Sequence, residues 1–499
     1  MLEIAFALLM VAALVAFADW RKGLFICILT GLLQDPLRKV APDQPAYFVL
    51  FAGLIFAAAL AGAYLSHVRL GPRVIQDWGR YLRLPFGLFV AVIVLQGLHS
   101  LLRWGSPQMT GIGLMAYLLP VPAVVLAYKF VLRGGLASVR RLMWFYAIFV
   151  GIWLSSIYLD YLGFTWPVLG ELGEGVIIYD VGMVLKGYAG LFRATEIAAW
   201  HTGTTACFLF ILIRGRNLSL PKIALIIVCA AALVGLGLLT GRRKVLVQIA
   251  IFASVYVFLV AWFMRGAAKF AVVALAAGFI AYTSIIGLMD ADPGEKIFDS
   301  HGLQVRADER YQAYVLRGQS VIGDVGDRFD QLGIQPVMWA VNGFGMFGAG
   351  LGTGSQGTQH VADAANVNRG AAEGGLGKIT MELGIPGLLV ALWLLVALVR
   401  HIWRLLQGVA RMSPLHANLA FGLVAFLTAN IAAFSVATQA FGDLFILMTL
   451  GWAMGFLLAM PAMAAAVVPD PRQRTAAAGR RGMLPGVRGQ PRFVSRTGR

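Results

Sequence analysis

The sequence predicts an all-α, polytopic membrane protein with about 12–14 transmembrane helices and one large loop outside the bilayer. Three observations predict it. Of the 499 residues, 59% are hydrophobic and only 13% charged, about half the charge of an ordinary soluble domain. Near-continuous apolar runs recur from Leu2 to Val468, several of them 18 residues or longer, and about 20 apolar residues cross the hydrocarbon core. Lys and Arg cluster between alternate runs, as the positive-inside bias requires. A soluble enzyme, a collagen-like chain and a secreted disulfide scaffold are excluded.

In chain order, the apolar runs predict spans near residues 2–18, 23–37, 46–66, 84–102, 110–132, 142–162, 195–214, 220–240, 245–264, 270–289, 379–399, 415–439 and 443–467. The first has no basic segment before it, so it reads as a span and not as a signal peptide. The second is the weakest, because only Gly23 to Leu33 is continuously apolar. This divides the chain into N-terminal transmembrane helices (1–289), a loop domain (290–378), C-terminal transmembrane helices (379–468) and a basic tail (469–499). In the tail, Arg472, Arg474, Arg480, Arg481, Arg488, Arg492, Arg496 and Arg499 face a single acid, Asp470. Much of the net charge of +17 sits there. Such a Gly/Pro/Arg segment reads as a disordered end beside anionic headgroups, not as a nucleic-acid-binding element. Cys27, Cys207 and Cys229 fall inside apolar runs, and no CxxC or HExxH motif occurs, so no metal framework is expected.

With the tail in the cytoplasm, the loops holding Arg21 and Lys22; Arg69, Arg73, Arg80 and Arg83; Arg133, Arg140 and Arg141; Arg214, Arg216 and Lys222; Arg265 and Lys269; and Arg400, Arg404 and Arg411 all fall inside. Four groups break the bias and face outward: Arg38 with Lys39, Arg103, Lys186 with Arg193, and Arg242-Arg243-Lys244. They read as headgroup contacts or a miscounted span, or as a site for a polyanion at the outer leaflet, since guanidinium forks match phosphate oxygens.

The outward loop from Asp290 to Lys378 holds 11 of the 24 acids, and an interspan loop of this length is generally functional. Asp308–Ile322 and Asp327–Val341 pattern as helices, with Pro336 kinking the second or starting a new one. The run NGFGMFGAGLGTGSQGTQH follows. It is either a re-entrant turn or a backbone that approaches a sugar or phosphate closely; no strand–helix context supports a dinucleotide site. His360 is a surface residue or a base. Glu373 stands where the chain re-enters the membrane, either as a solvated acid favoured by a helix N-terminus or as a general base beside the outward arginines. Glu196 and His201, in FRATEIAAWH, read as interhelical hydrogen-bonding groups or as functional polar residues.

The pieces GDRFDQLGIQPVMW, FGAGLGTG and MELGIPGLL, with QDPLRKVAPDQP near the start and TGRRKVL before the ninth span, together resemble the O-antigen ligase and O-antigen (exopolysaccharide) polymerase superfamily. The resemblance is most specific from Leu239 to Leu389. It implies a GT-C-like, metal-independent, inverting glycosyltransferase without cofactor in the bacterial inner membrane, its active site facing the periplasm. The implied donor is an undecaprenyl-pyrophosphate-linked glycan and the acceptor a glycan or lipid. Membrane lipids and other polysaccharide export proteins are the further partners, with no nucleic acid. Arg242 to Leu246 matches the family's Arg-x-x-x-Leu motif, and Arg328 matches its loop arginine. Both would grip the pyrophosphate, helped by Arg243, Arg38 and Arg193. Ligases of the family carry a histidine separated by ten residues from a glycine of the re-entry helix; counting back from Gly384 lands on Glu373. A carboxylate then replaces the imidazole as catalytic base, with His360 as second candidate. Polymerisation of repeat units is the expected activity. The alternatives are ligation of polymer to lipid A core, and a non-catalytic transporter or assembly partner in polysaccharide export.

Overall fold

The computed structural model describes residues 2–169, 172, 177–180, 183–213, 219–264, 330–355, 358 and 372–467. The predicted span at 270–289, the basic tail, Arg328 and His360 lie outside the described residues. Fourteen helices follow in order: α1 (Leu2–Ala18), α2 (Trp20–Val40), α3 (Phe51–Leu65), a single turn α4 (Trp78–Tyr81), α5 (Arg83–Trp104), α6 (Pro107–Leu118), α7 (Pro120–Tyr161), α8 (Thr195–Ile213), α9 (Leu220–Leu239), α10 (Lys244–Phe263), α11 (Gln335–Phe344), α12 (Gly375–Met412), α13 (Pro414–Val436) and α14 (Leu444–Val467). Among the described residues, nine helical stretches are long and apolar enough to cross a membrane. The chain is therefore an α-helical multi-pass membrane protein. The reason is elementary: without water, each backbone N–H and C=O must be satisfied inside the segment, and a helix does this.

Each predicted span outside 270–289 coincides with a helix, but those at 2–18 and 23–37, on α1 and α2, are not among the nine membrane-crossing stretches, and two further adjustments are needed. The spans at 110–132 and 142–162 belong to α6 and α7, and α7 is broken at Gly135, where φ is 64°. The re-entry helix begins at Gly375, earlier than 379, and kinks at Gly384 (φ 71°, ψ −179°), two residues before Pro386. The chain is also not purely α: β1 (Ile177–Asp180) and β2 (Met183–Lys186) form an antiparallel hairpin between α7 and α8, with Ile177 opposite Lys186. Its strands, IIYD and MVLK, lack the alternation that would mark them in the sequence. The second loop helix starts at Gln335, with Pro336 in the first turn of α11, after a turn over Asp330–Ile334; a proline is tolerated there because its missing N–H has no partner anyway.

Small residues let the helices meet. Gly451 and Gly455 stand four apart on α14, and a Cβ on them would lie 2.7 Å from Ala123 Cβ and 2.8 Å from Ala127 Cβ of α7. Close backbone approach of this kind is how apolar helices bind one another in lipid, where burial alone gives no preference. The main core joins α1–α3, α7, α8, α10, α13 and α14 around Phe56, Tyr146, Phe421, Phe426 and Phe445. Apolar side chains such as Leu95, Leu225, Val228 and Leu389 stand exposed on the outer faces, as lipid-facing residues should.

The glycine-rich run packs across α5, α6 and α12. Gly348, Gly350 and Gly352 hold φ of 79°, 104° and 90°. A Cβ on Gly350 would lie 2.9 Å from Ser100 Cα, and one on Gly352 would strike the Met109 carbonyl. In the described part of the run, the close approach is to neighbouring protein backbone. Ala349 N–H donates to Met381 O (2.7 Å), Ile385 N–H to Met346 O (2.8 Å), and Ser100 Oγ to Leu351 O (2.8 Å).

Gly455→Leu should therefore push α14 off α7 and cost about 1–3 kcal/mol by overpacking. Gly111→Ala on α6, where a Cβ meets nothing within 4 Å, should leave stability unchanged or raise it slightly. Thermal melting of the two purified variants in one detergent separates them, and equal midpoints would refute the packing account.

Candidate functional site: a polar cluster at one end of the bundle

The chain ends of α2, α5, α7, α9 and α13 and the starts of α8, α10, α12 and α14 lie at one end of the bundle, which the charge bias assigns to the outside. Its centre is Arg193, just before α8. The guanidinium binds Asp35 of α2 through Nη1 (2.8 Å) and Asp443, just before α14, through Nη2 (2.6 Å). The Arg193 backbone N–H also donates to Asp35 Oδ2 (3.1 Å). Both carboxylates are almost fully buried, at 2% and 1% exposure. Burial by itself would lower the Arg193 pKa, but Asp35 and Asp443 outweigh it and raise it, so the group stays charged. Asp443 Oδ1 meanwhile accepts from Ile446 N–H (3.0 Å), which caps the first turn of α14. Nearby, Lys39 Nζ donates to Gly190 O (2.6 Å) and Asp160 Oδ2 accepts from Gly190 N–H (3.1 Å), tying α2, α7 and the segment before α8 together.

Arg242 is held three residues further along α8. Its Nη2 lies 2.6 Å from Glu196 Oε1 and its Nε donates to Thr195 Oγ1 (2.9 Å). The side chains are 21% and 15% exposed, so this pair reaches the surface of the cluster. The sequence TGRRK explains the local geometry. Thr240 Oγ1 donates to Gly237 O (2.6 Å) and accepts from Arg242 N–H (3.3 Å), and Gly241, at φ 68°, reverses the chain between α9 and α10. Gly187 packs beneath, where a Cβ would lie 2.6 Å from Thr195 Cγ2.

Glu373 has a fixed backbone and an exposed carboxylate. Its carbonyl accepts from Thr438 N–H (3.0 Å), and the preceding Ala372 carbonyl accepts from Thr438 Oγ1 (2.6 Å). Gly374 and Gly375 follow; a Cβ on the first would strike the Leu332 carbonyl, and one on the second the Phe434 carbonyl. Thr438 stands five residues before Asp443, so the anchor of Glu373 leads directly to the Arg193 clamp.

The structure therefore brings Arg193, Arg242, Arg243, Glu196 and Glu373 to one end of the bundle. Arg38 is there as well, its Nε donating to Gln44 O (2.9 Å). Arg103, also against the charge bias, lies over the Trp104 ring at 5.2 Å. Arg193 differs from the expectation of a phosphate ligand in one respect: both of its outer nitrogens are engaged by carboxylates. His201 is 1% exposed. It shares a 2.6 Å hydrogen bond with Tyr146 Oη and stacks between Phe192 and Phe445 at 5.1 and 5.3 Å. It acts as an interhelical contact and does not reach the surface. Sequence reading missed Asp35 and Asp443, although a lone acid flanking an apolar run, as in LLQDP and FGDLF, is a readable signal. No family model, curated protein or solved structure matches this chain.

Arg193→Met should be severely destabilising, since removing one partner leaves two carboxylates buried and uncompensated, a loss of about 3–5 kcal/mol. The triple variant Arg193→Met with Asp35→Asn and Asp443→Asn should recover much of it, because no buried charge then stands alone. Thermal midpoints of the purified variants check this, and a triple variant no better than the single one would contradict it.

Proposed function

We propose that this protein is a polysaccharide polymerase of the bacterial inner membrane, with its active site at the periplasmic end of the bundle. It would transfer a glycan from undecaprenyl pyrophosphate to the hydroxyl of an acceptor repeat unit. The observation that supports this reading most is the shared end of the bundle: Glu373 is anchored to Thr438, five residues before the Asp443 that clamps Arg193, and Arg242 pairs with Glu196, three residues after Arg193. It joins an exposed carboxylate to a held guanidinium at one membrane boundary, and general-base transfer to an acceptor hydroxyl from a pyrophosphate needs both.

In the proposed step, Glu373 takes the proton of the acceptor hydroxyl as its oxygen attacks the anomeric carbon. The bond from that carbon to the pyrophosphate oxygen breaks with inversion, and undecaprenyl pyrophosphate leaves. Arg242 and Arg243, with Arg328 from the loop, stabilise the charge that grows on the leaving group. Preorganised cations at developing charge contribute more than most other effects. Arg38 supports the same edge. Arg193 acts through Asp35 and Asp443 as a strut, and Glu196 orients Arg242. The apolar faces of the helices hold the polyprenyl chain.

Glu373→Gln should lower polymerisation by about 10²–10⁴-fold, the range for losing a general base. Arg242→Lys, which keeps the charge but loses the fork, should lower it by about tenfold or more. The measurement is the glycan-length profile of a polymer-deficient host expressing each variant at matched membrane levels. Wild type should restore long chains while Glu373→Gln leaves single lipid-linked units. Full-length polymer from Glu373→Gln would remove Glu373 from the chemistry and turn attention to His360. Finished polymer moved onto lipid A core, without elongation, would identify a ligase.

A further inference from the structure

The opposite end of the bundle, which the charge bias assigns to the inside, holds a cluster that the transfer chemistry does not use. Tyr81, the last residue of α4, carries two guanidiniums on its half-buried ring: Arg404 of α12 at 4.4 Å from the ring centroid, and Arg80 at 5.4 Å. The buried His401 ring packs on the same tyrosine at 5.7 Å. Asp77, just before α4, and Arg404 are the charged neighbours of His401. Arg80 and Arg404 are exposed, and among the described residues neither has a carboxylate within salt-bridge range. Arg400, also exposed, stands one turn before Arg404 on the same face of α12. Like charges gathered on one ring repel, and an anion placed between them removes that repulsion. A contact with a ring engages the face of a guanidinium and leaves its fork of N–H donors free for oxygens.

The rest of that face of α12 decides which anion fits. Its exposed residues are apolar up to Val396, with Leu389, Trp393 and Val396, and basic from there on, with Arg400, Arg404 and Arg411. Spacings of three, four and seven residues keep all of them in one stripe. From Leu389 to Arg400 the helix rises about 16 Å at 1.5 Å per residue. One leaflet is about as deep, half of a hydrocarbon core of about 30 Å. The face therefore offers acyl-chain contact over one leaflet and guanidiniums at its end. A free phosphate would meet the arginines alone, whereas a phospholipid meets both parts. We propose that Arg80, Arg400 and Arg404, arranged around Tyr81, bind the phosphate of an anionic phospholipid of the inner leaflet, with an acyl chain lying along Leu389, Trp393 and Val396. Basic pockets between helices at the cytoplasmic surface suit such headgroups. Arg80 and Arg404 fork onto the phosphate oxygens, and Tyr81 holds the two guanidiniums at one place. Because α4 packs against both α5 and α12, the lipid ties the segment before α5 to the end of α12. The site lies at the far end from Glu373 and does not depend on the glycan-transfer reading.

The test uses full-length protein, delipidated in detergent and titrated with dioleoylphosphatidylglycerol or with dioleoylphosphatidylcholine, bound lipid being counted by native mass spectrometry. Wild type should bind the anionic lipid about tenfold more tightly than the zwitterionic lipid of the same chains, the scale of two basic side chains at a membrane surface. Arg80→Gln with Arg404→Gln should bind the anionic lipid about tenfold or more weakly, the loss expected for hydrogen bonds to a charged group, and the zwitterionic lipid almost as wild type does. Arg404→Lys keeps the charge without the fork and should lose part of the affinity. The control is Arg73→Gln with Arg141→Gln, which removes the same charge from two other exposed arginines at that end and should bind like wild type. Lipid-free thermal midpoints check folding; if the double Gln variant at Arg80 and Arg404 melts early, Arg404→Lys carries the comparison. Equal losses in the two double variants would show diffuse surface charge and overturn the site, as would equal wild-type affinity for the two lipids. Inorganic phosphate at the concentration of the lipid should not displace it; if it does, the arginines serve a soluble anion and the lipid site is overturned.

Discussion

Arg193 reaches two buried carboxylates that come from opposite ends of the chain, and the polar end of the bundle is arranged around that clamp. Asp35 lies 158 residues before it, and Asp443 belongs to the turn before the last helix. Buried ion pairs of this kind add little net stability over apolar packing, because desolvation offsets most of the attraction. What they enforce is uniqueness. Only one arrangement of α2, α8 and α14 brings both carboxylates to one guanidinium, and any slip leaves a charge stranded where no water can reach it. With α8 so fixed, Thr195 and Glu196 fall at its first turn, and Arg242 is held where α9 turns into α10.

The same economy explains the glycines. Helices in lipid gain nothing from hiding apolar surface, so their contacts depend on shape and on backbone approach. Gly451 and Gly455 bring α14 against α7, and α14 carries Asp443 at its start. Gly348, Gly350 and Gly352 let an irregular strand of backbone run between α5, α6 and α12 with its amides engaged. Irregular backbone at membrane depth is tolerated only when it is covered by protein in this way. Gly384 then kinks α12, separating its first turns, with Lys378 and Glu382, from the long segment that follows.

The membrane part was legible in the sequence because the bilayer imposes a length and a composition that composition alone reveals. The helix boundaries, the break at Gly135 and the kink at Gly384 were less so, since each depends on a positive φ that a glycine permits without announcing. Arg242 was visible as a cation on the wrong side of the charge bias, and Glu373 as an acid at a membrane boundary. Asp35 and Asp443 show in the sequence only as lone acids beside apolar runs, with no sign of their shared partner Arg193. Their pairing depends on residues far away in sequence, and nothing local distinguishes Glu382 in MELGIPG, held by Gly354 N–H and Ser355 Oγ, from a solvated acid. The described part of the glycine-rich run makes its closest contacts to Ser100, Met109 and Met381, none of them near it in sequence.

The central claim is that this chain alone breaks a sugar–pyrophosphate bond and joins the sugar to another unit. Purified protein in liposomes, supplied only with undecaprenyl-pyrophosphate-linked repeat unit, tests it most directly. The account predicts dimers and longer chains, with one undecaprenyl pyrophosphate released for each new linkage, and loss of both products in Glu373→Gln. Movement of intact lipid-linked unit between leaflets, with no new linkage and no release of undecaprenyl pyrophosphate, would contradict it and identify a transporter.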